Sequence, residues 1–157
     1  MTISNETTKQ TFQGNGVQTV FNYTFLLPTT AQYDLYYTDA AGTIELVSQV
    51  DYTLTGIGNA AGGTLTYTRG GNPIAANTSL TLARDVPYTQ TTDLNNQGAY
   101  YPEVIESALD RLEMQIQQLF TLSRLSFKAP ITNDAVADVP TEADRASGWA
   151  YWDADGN

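Results

Sequence analysis

Residues Glu103–Leu119 read EVIESALDRLEMQIQQL. This is the most regular stretch of the chain, and its reading decides the fold. Apolar residues fall at Ile105, Leu109, Leu112, Ile116 and Leu119, at spacings of 4, 3, 4 and 3. That pattern is a heptad seam, with Leu109 and Ile116 at a and Ile105, Leu112 and Leu119 at d. A step of ~3.5 residues suits supercoiling better than the ~3.6 of a straight surface helix. The flanking e and g positions hold Glu106, Ala108, Glu113 and Gln115, which would be wasted beneath a sheet. Pro102 fits the first helical position, where its missing N–H costs nothing. Glu103 and Glu106 follow in the first turn, where the helix dipole favours negative charge. Extended to Phe127, the helix would measure ~37 Å at ~1.5 Å per residue, longer than a domain of this size is wide. Alone it is marginal in water, so the seam needs cover. Two covers are open, the chain's own β-face and sister copies, and self-association is the favoured one. The mixture of Leu and Ile at a and d does not separate two strands from three.

Upstream, from Thr11 to Thr92, the signals are those of short strands. TVFNYTFLL (Thr19–Leu27) alternates bulky with polar residues, placing Phe21, Tyr23 and Phe25 on one face before Pro28 ends the run. QYDLYYT and TIELVSQ flank DAAG (Asp39–Gly42), and DYTLTGI and GTLTYTR flank GNAAG, so each pair reads as a hairpin. SLTLARDV (Ser79–Val86) is a further strand. Tyr, Thr and Val, which fit a pleated, half-buried surface, dominate. Six or seven strands at about ten-residue spacing predict an antiparallel sandwich or a partly open barrel. The fold class expected is therefore α+β: an antiparallel β-sandwich-like domain, one long coiled-coil helix and an extended C-terminal tail.

Composition narrows the function. With 157 residues the chain suits one domain and an appendage. It has no cysteine and no histidine, which removes thiolate sites, the commonest general base and the commonest metal ligand. Seven basic residues against 17 acidic leave a net charge of −10. Binding a polyanion needs a basic stripe, so no nucleic-acid partner is expected. No apolar run approaches the ~20 residues that span a bilayer, so no membrane insertion is expected. The polar start MTISNETTKQ lacks a signal peptide's apolar core, and export by that route is not expected. No cofactor is expected. Beyond Phe127 the chain turns rich in Ala, Asp and Pro. Residues 130–157 carry six acidic side chains and one basic, with an aromatic knot at Trp149, Tyr151 and Trp152. This reads as an extended linker.

The residues before and within the helix carry a resemblance. LTLARDVPYTQTTDLNNQGAYYPEVIESALDRLEMQIQQL resembles the N-terminal virion-attachment domain of tail fibre and tailspike proteins of short-tailed, podovirus-type bacteriophages. There a strand ending in arginine leads to a P-x-T-Q-x-x-D segment, a Gly/aromatic turn and a helix with E-x-A-L-D-R-L-x-x-Q-I-Q-Q-L. Matching positions include Arg84, Pro87, Thr89, Gln90, Asp93, Gly98, Glu106, Asp110 and Arg111. The likeness is strong from Leu80 and weak before it. ADRASGWAYWDADGN also looks like an element that follows the helix in such fibres, with Trp152 where Phe is usual.

The resemblance implies a structural virion protein, located in the phage tail, that anchors a tail fibre or tailspike for host adsorption. It implies a homotrimer with Ile105, Leu109, Leu112, Ile116 and Leu119 as interface. Residues 1–98 would form the tail-docking β-domain, 99–128 the coiled coil and 129–157 a linker opening a distal region. The partners implied are tail adaptor and nozzle proteins and, further out, a distal receptor-binding protein. No receptor-binding or glycan-cleaving domain follows here, so the chain is either part of a longer fibre or a short adaptor.

The motif residues also have structural readings. Arg84 and Asp93 flank the strand-to-helix passage and would pair across it. Thr89 and Gln90 would bond loop backbone that no ladder satisfies, or else make direct docking contacts with the tail. Asp110 and Arg111, at b and c, lie outside the seam as a solvated face or a clamp on the β-domain. Catalysis is not expected: Asp51, Asp85 and Asp93 sit in polar turns, whereas a glycosidase needs a carboxyl with a raised pKa. The alternative function is a carbohydrate-binding β-sandwich. It would be built on paired tyrosines such as Tyr36–Tyr37 and Tyr100–Tyr101, of which one in each pair faces outward.

Overall fold

The computed structural model describes residues 3, 5–29, 32–92 and 101–126. It shows seven strands and one α-helix among them: β1 (Lys9–Gln13), β2 (Val20–Tyr23), β3 (Tyr33–Thr38), β4 (Ile44–Leu46), β5 (Tyr52–Leu54), β6 (Gly63–Tyr67), β7 (Ser79–Arg84) and α1 (Pro102–Arg124). The α+β class is the one expected. Two antiparallel sheets are formed, ordered β1-β7-β3-β4 and β2-β6-β5. Both expected hairpins are present. β3 pairs with β4 around residues 39–42, and β5 pairs with β6 around the GNAAG turn. In that turn Gly62 has φ +84° and a Cβ there would lie 2.1 Å from the Tyr23 carbonyl oxygen, so only glycine fits.

The remaining pairings are long-range. β1 lies against β7 with Phe12 opposite Leu80, and β2 lies against β6 with Phe21 opposite Leu65. The alternation sends Phe12, Leu35, Leu80 and Leu82 of one sheet and Phe21, Tyr23, Leu65 and Tyr67 of the other into one shared core. Rings meet across the gap: Phe12 and Phe21 lie 5.2 Å apart, and Tyr33 and Tyr52 pack edge to face at 6.3 Å. Burying each such side chain contributes roughly 1.5–3 kcal/mol. The β-domain is held by apolar side chains turned inward.

The period-two pattern outlasts its strand. Past β2, Phe25 and Leu27 stay in the core, while Leu26 between them points elsewhere and packs with Val86 and Met114. That second cluster is where the helix lands. Pro102 occupies the first turn of α1, as expected, and Tyr101 is the extended N-cap. The helix stops at Arg124 rather than Phe127. Helix and sheets belong to one compact unit, Met1–Leu125. The boundary expected at 98/99, Gly98, Tyr100, and the whole expected tail with its aromatic knot lie outside the described residues.

Candidate assembly interface

The passage from β7 to α1 poses a problem in backbone hydrogen bonding. The ladder ends at Arg84, whose N–H bonds the Thr8 carbonyl at 2.9 Å. Val86 follows, fully buried, with an N–H that no strand is left to accept. A buried unmade bond of this kind costs about 1–3 kcal/mol. The helix supplies the partners. The Val86 N–H donates to Gln118 Oε1 at 2.9 Å, and Gln118 Nε2 donates to Asp85 Oδ1 at 3.3 Å. Pro87 has no N–H to satisfy, and its carbonyl accepts from Arg111 Nη2 at 3.0 Å and Gln115 Nε2 at 2.6 Å. The Thr89 carbonyl accepts from Arg111 Nε at 3.2 Å. Arg111, Gln115 and Gln118 thus stand in for a neighbouring strand along the exit of β7.

Those three residues are spaced 4 and 3, like the seam, but on another face. At 3.6 residues per turn, the docking face (Met114, Gln118, Thr121) lies roughly half a turn from the a/d positions. Met114 and Gln118 are buried, at f and c of the heptad. Thr121, at f, shares a 2.7 Å hydrogen bond with Thr8. The β-domain therefore grips what would be the outer face of a coiled coil.

The seam is left outside. Leu109, Leu112, Ile116 and Leu119 are 52–60% exposed, and Ile105 is half-buried. Phe120, Leu122 and Leu125 extend this apolar surface towards the C-terminal end of the helix. Among the described residues, the chain's own sheets do not cover this stripe.

The motif residues are placed as follows. Arg84 is buried rather than an exposed ion-pair partner. Its Nη2 donates to the Thr7 carbonyl at 2.7 Å and to Gln117 Oε1 at 3.4 Å. Its Nε and Nη1 have no hydrogen-bond acceptor among the described residues. Burial pushes the guanidinium pKa down. Asp93, its expected partner, lies outside the described residues. Gln90 donates to the Thr92 carbonyl at 3.2 Å, a loop backbone bond of the kind anticipated, whereas Thr89 contributes its own carbonyl. Arg111 is a clamp onto the β-domain; Asp110 is half-buried beside it. Sequence reasoning missed Met114, and it placed Gln118 in the helix motif without giving it a docking role. Their signal was a lone methionine and a glutamine in phase with Arg111, opposite the leucines.

Among the described residues, no group of three or more His, Cys, Asp or Glu could hold a metal ion, and no helix is long and apolar enough to cross a membrane. Tyr36 bonds its hydroxyl to Asp34 at 3.1 Å and Tyr37 packs against the core. Tyr101 is the more exposed of the described tyrosines singled out for sugar stacking.

Over 131 residues, 83% of its length, the chain is 37% identical to the tail spike protein of Salmonella phage epsilon15, a podovirus. The chain is homologous to the N-terminal part of a podovirus tail spike. It spans 12% of that relative's length. The homologue is a component of the virion tail, the location expected for this chain. No family model matches the sequence.

Proposed function

We propose that this chain is the anchoring part of a tail spike or tail fibre, assembling as a homotrimer through Ile105, Leu109, Leu112, Ile116 and Leu119. The observation that carries the reading is the exposure of that stripe on a helix already docked by its opposite face. Monomeric proteins rarely expose a continuous apolar patch of this kind unless it meets a partner, and a heptad stripe is shaped for an identical helix. The β-domains then stand outside a central bundle. Each is tied to its own helix by Arg111, Gln115, Gln118 and Thr121.

In this reading the task is mechanical. The three β-domains seat on the tail adaptor and nozzle proteins, and the bundle delivers the chains in register to a distal receptor-binding part. Host adsorption follows from that attachment, and no catalytic step belongs to this chain. With a net charge of −10, attachment is steered best by a basic receiving groove. The test has two parts. Sedimentation of the purified chain should give three times its 17.1 kDa mass; a monomer at micromolar concentration sinks the assembly reading. Added in excess to spike-depleted virions, the chain should block rebinding of intact spikes. Undiminished rebinding would show that the anchor lies elsewhere.

A further inference from the structure

The two flanks of α1 differ, and the difference assigns neighbours around the bundle. On the g side, the loop Tyr88–Thr92 lies beside Ala108, Arg111 and Gln115. On the e side, the N-terminal arm lies beside Glu113, Gln117 and Phe120, leaving a groove of ≈720 Å³ between Glu6–Lys9 and the helix. Ile3 continues that wall beside Leu109, Leu112 and Ile116. Each copy thus carries a loop on one flank and an open groove on the other.

We propose that the groove beside the N-terminal arm receives the loop Tyr88–Thr92 of a second copy, so that neighbouring subunits interlock outside the helical seam. The inference rests on the self-association reading above and deepens it. Three observations support it. In a parallel bundle, the g flank of one helix faces the e flank of the next, which sets loop against groove. Their heights agree: a g residue meets the e residue about five positions further on in its neighbour, so Gln115 beside the loop faces Phe120 in the groove. Charge agrees too. The e positions of the helix carry Glu106 and Glu113, the groove beside them adds Glu6, Lys9 and Arg124, and the loop Tyr88–Thr92 that it would receive is uncharged. Apposing two e flanks would crowd carboxylates against one another, whereas e against g does not. Tyr88, 57% exposed, and the exposed residues Thr89–Thr91 provide an apolar and hydrogen-bonding edge for the groove.

The absence of native cysteine makes the test clean. Thr91→Cys and Glu6→Cys both alter exposed side chains, so the fold should tolerate them. The two variant chains, one lengthened by a tag, are unfolded, mixed, refolded and treated with a short bismaleimide. The expected result is a mixed-size product, linking Thr91→Cys of one chain to Glu6→Cys of another, well above the share random pairing gives. Same-size products predominating, or no product from a mixture that still sediments as trimers, would overturn the interlock alone. A mixture that sediments as monomers sinks the trimer reading and the interlock with it.

Discussion

The β-domain core and the helix are built on opposite plans. In the core, Phe12, Phe21, Leu65 and Leu82 are turned inward, and Arg84 at the end of β7 is the one charged strand residue buried among the described residues. In α1 the side that meets its own domain is largely polar, with Arg111, Gln115, Gln118 and Thr121 around a single buried methionine, and the leucines are turned out. The core completes itself within one chain. The helix completes the backbone hydrogen bonding of the β7 exit and leaves most of its apolar stripe exposed. An element can therefore be securely docked and still be unfinished, when docking is polar and the unmet need is apolar.

The largest expected effect breaks the contrast from the helix side. Leu112→Asp places a carboxylate at a central seam layer in every copy. It should abolish assembly in sedimentation while the thermal unfolding of the β-domain stays close to that of the parent chain; a lost β-domain transition would mean that the seam supports the fold itself. From the core side, Leu82→Ala removes a fully buried side chain and should cost about 2–5 kcal/mol in denaturant unfolding. A cost below that range would mean that the core is looser than the packing indicates. Gln118→Leu sharpens the account of the docking face. It strands the buried Val86 N–H and should cost about 1–3 kcal/mol, with faster hydrogen exchange at the Val86 amide. Unchanged exchange there would dismiss the surrogate-strand role.

The smallest effect is a pH dependence confined to the core. Burial, reinforced by the Tyr33 hydroxyl and the Asp34 carboxylate, pushes the Tyr52 pKa up to about 12, and Tyr23, Tyr33 and Tyr67 are also raised by burial. An unfolded tyrosine titrates near ~10. The fold therefore favours the protonated phenol: its contribution is fully present below pH ~10 and is lost as pH climbs through the folded-state value. Melting temperature should fall between pH ~10 and about 12 while assembly at neutral pH is untouched. A flat profile over that window would mean that these phenols are solvated.

Local periodicity made much of this legible. The alternation of Phe21, Tyr23 and Phe25, the two Gly-bearing hairpins, the start of the helix at Pro102 and the seam itself follow from side chains repeating every two residues or every seven. Other features were out of reach for a physical reason. The pairings β1–β7 and β2–β6 join segments far apart in sequence, and no local pattern ranks the alternatives. Arg84 reads as a surface cation at the end of a strand, yet it is in phase with Leu80 and Leu82, and that phase carries it inward.

What the sequence determined by itself was the set of elements and the angle each side chain makes with its own backbone, because helix and strand geometry are properties of a few consecutive residues. Which face of the helix meets the β-domain was decided only in three dimensions. There the unsatisfied backbone of Val86 and Pro87 selected Gln118, Arg111 and Gln115, and the leucines, offering no hydrogen bond, were left facing out.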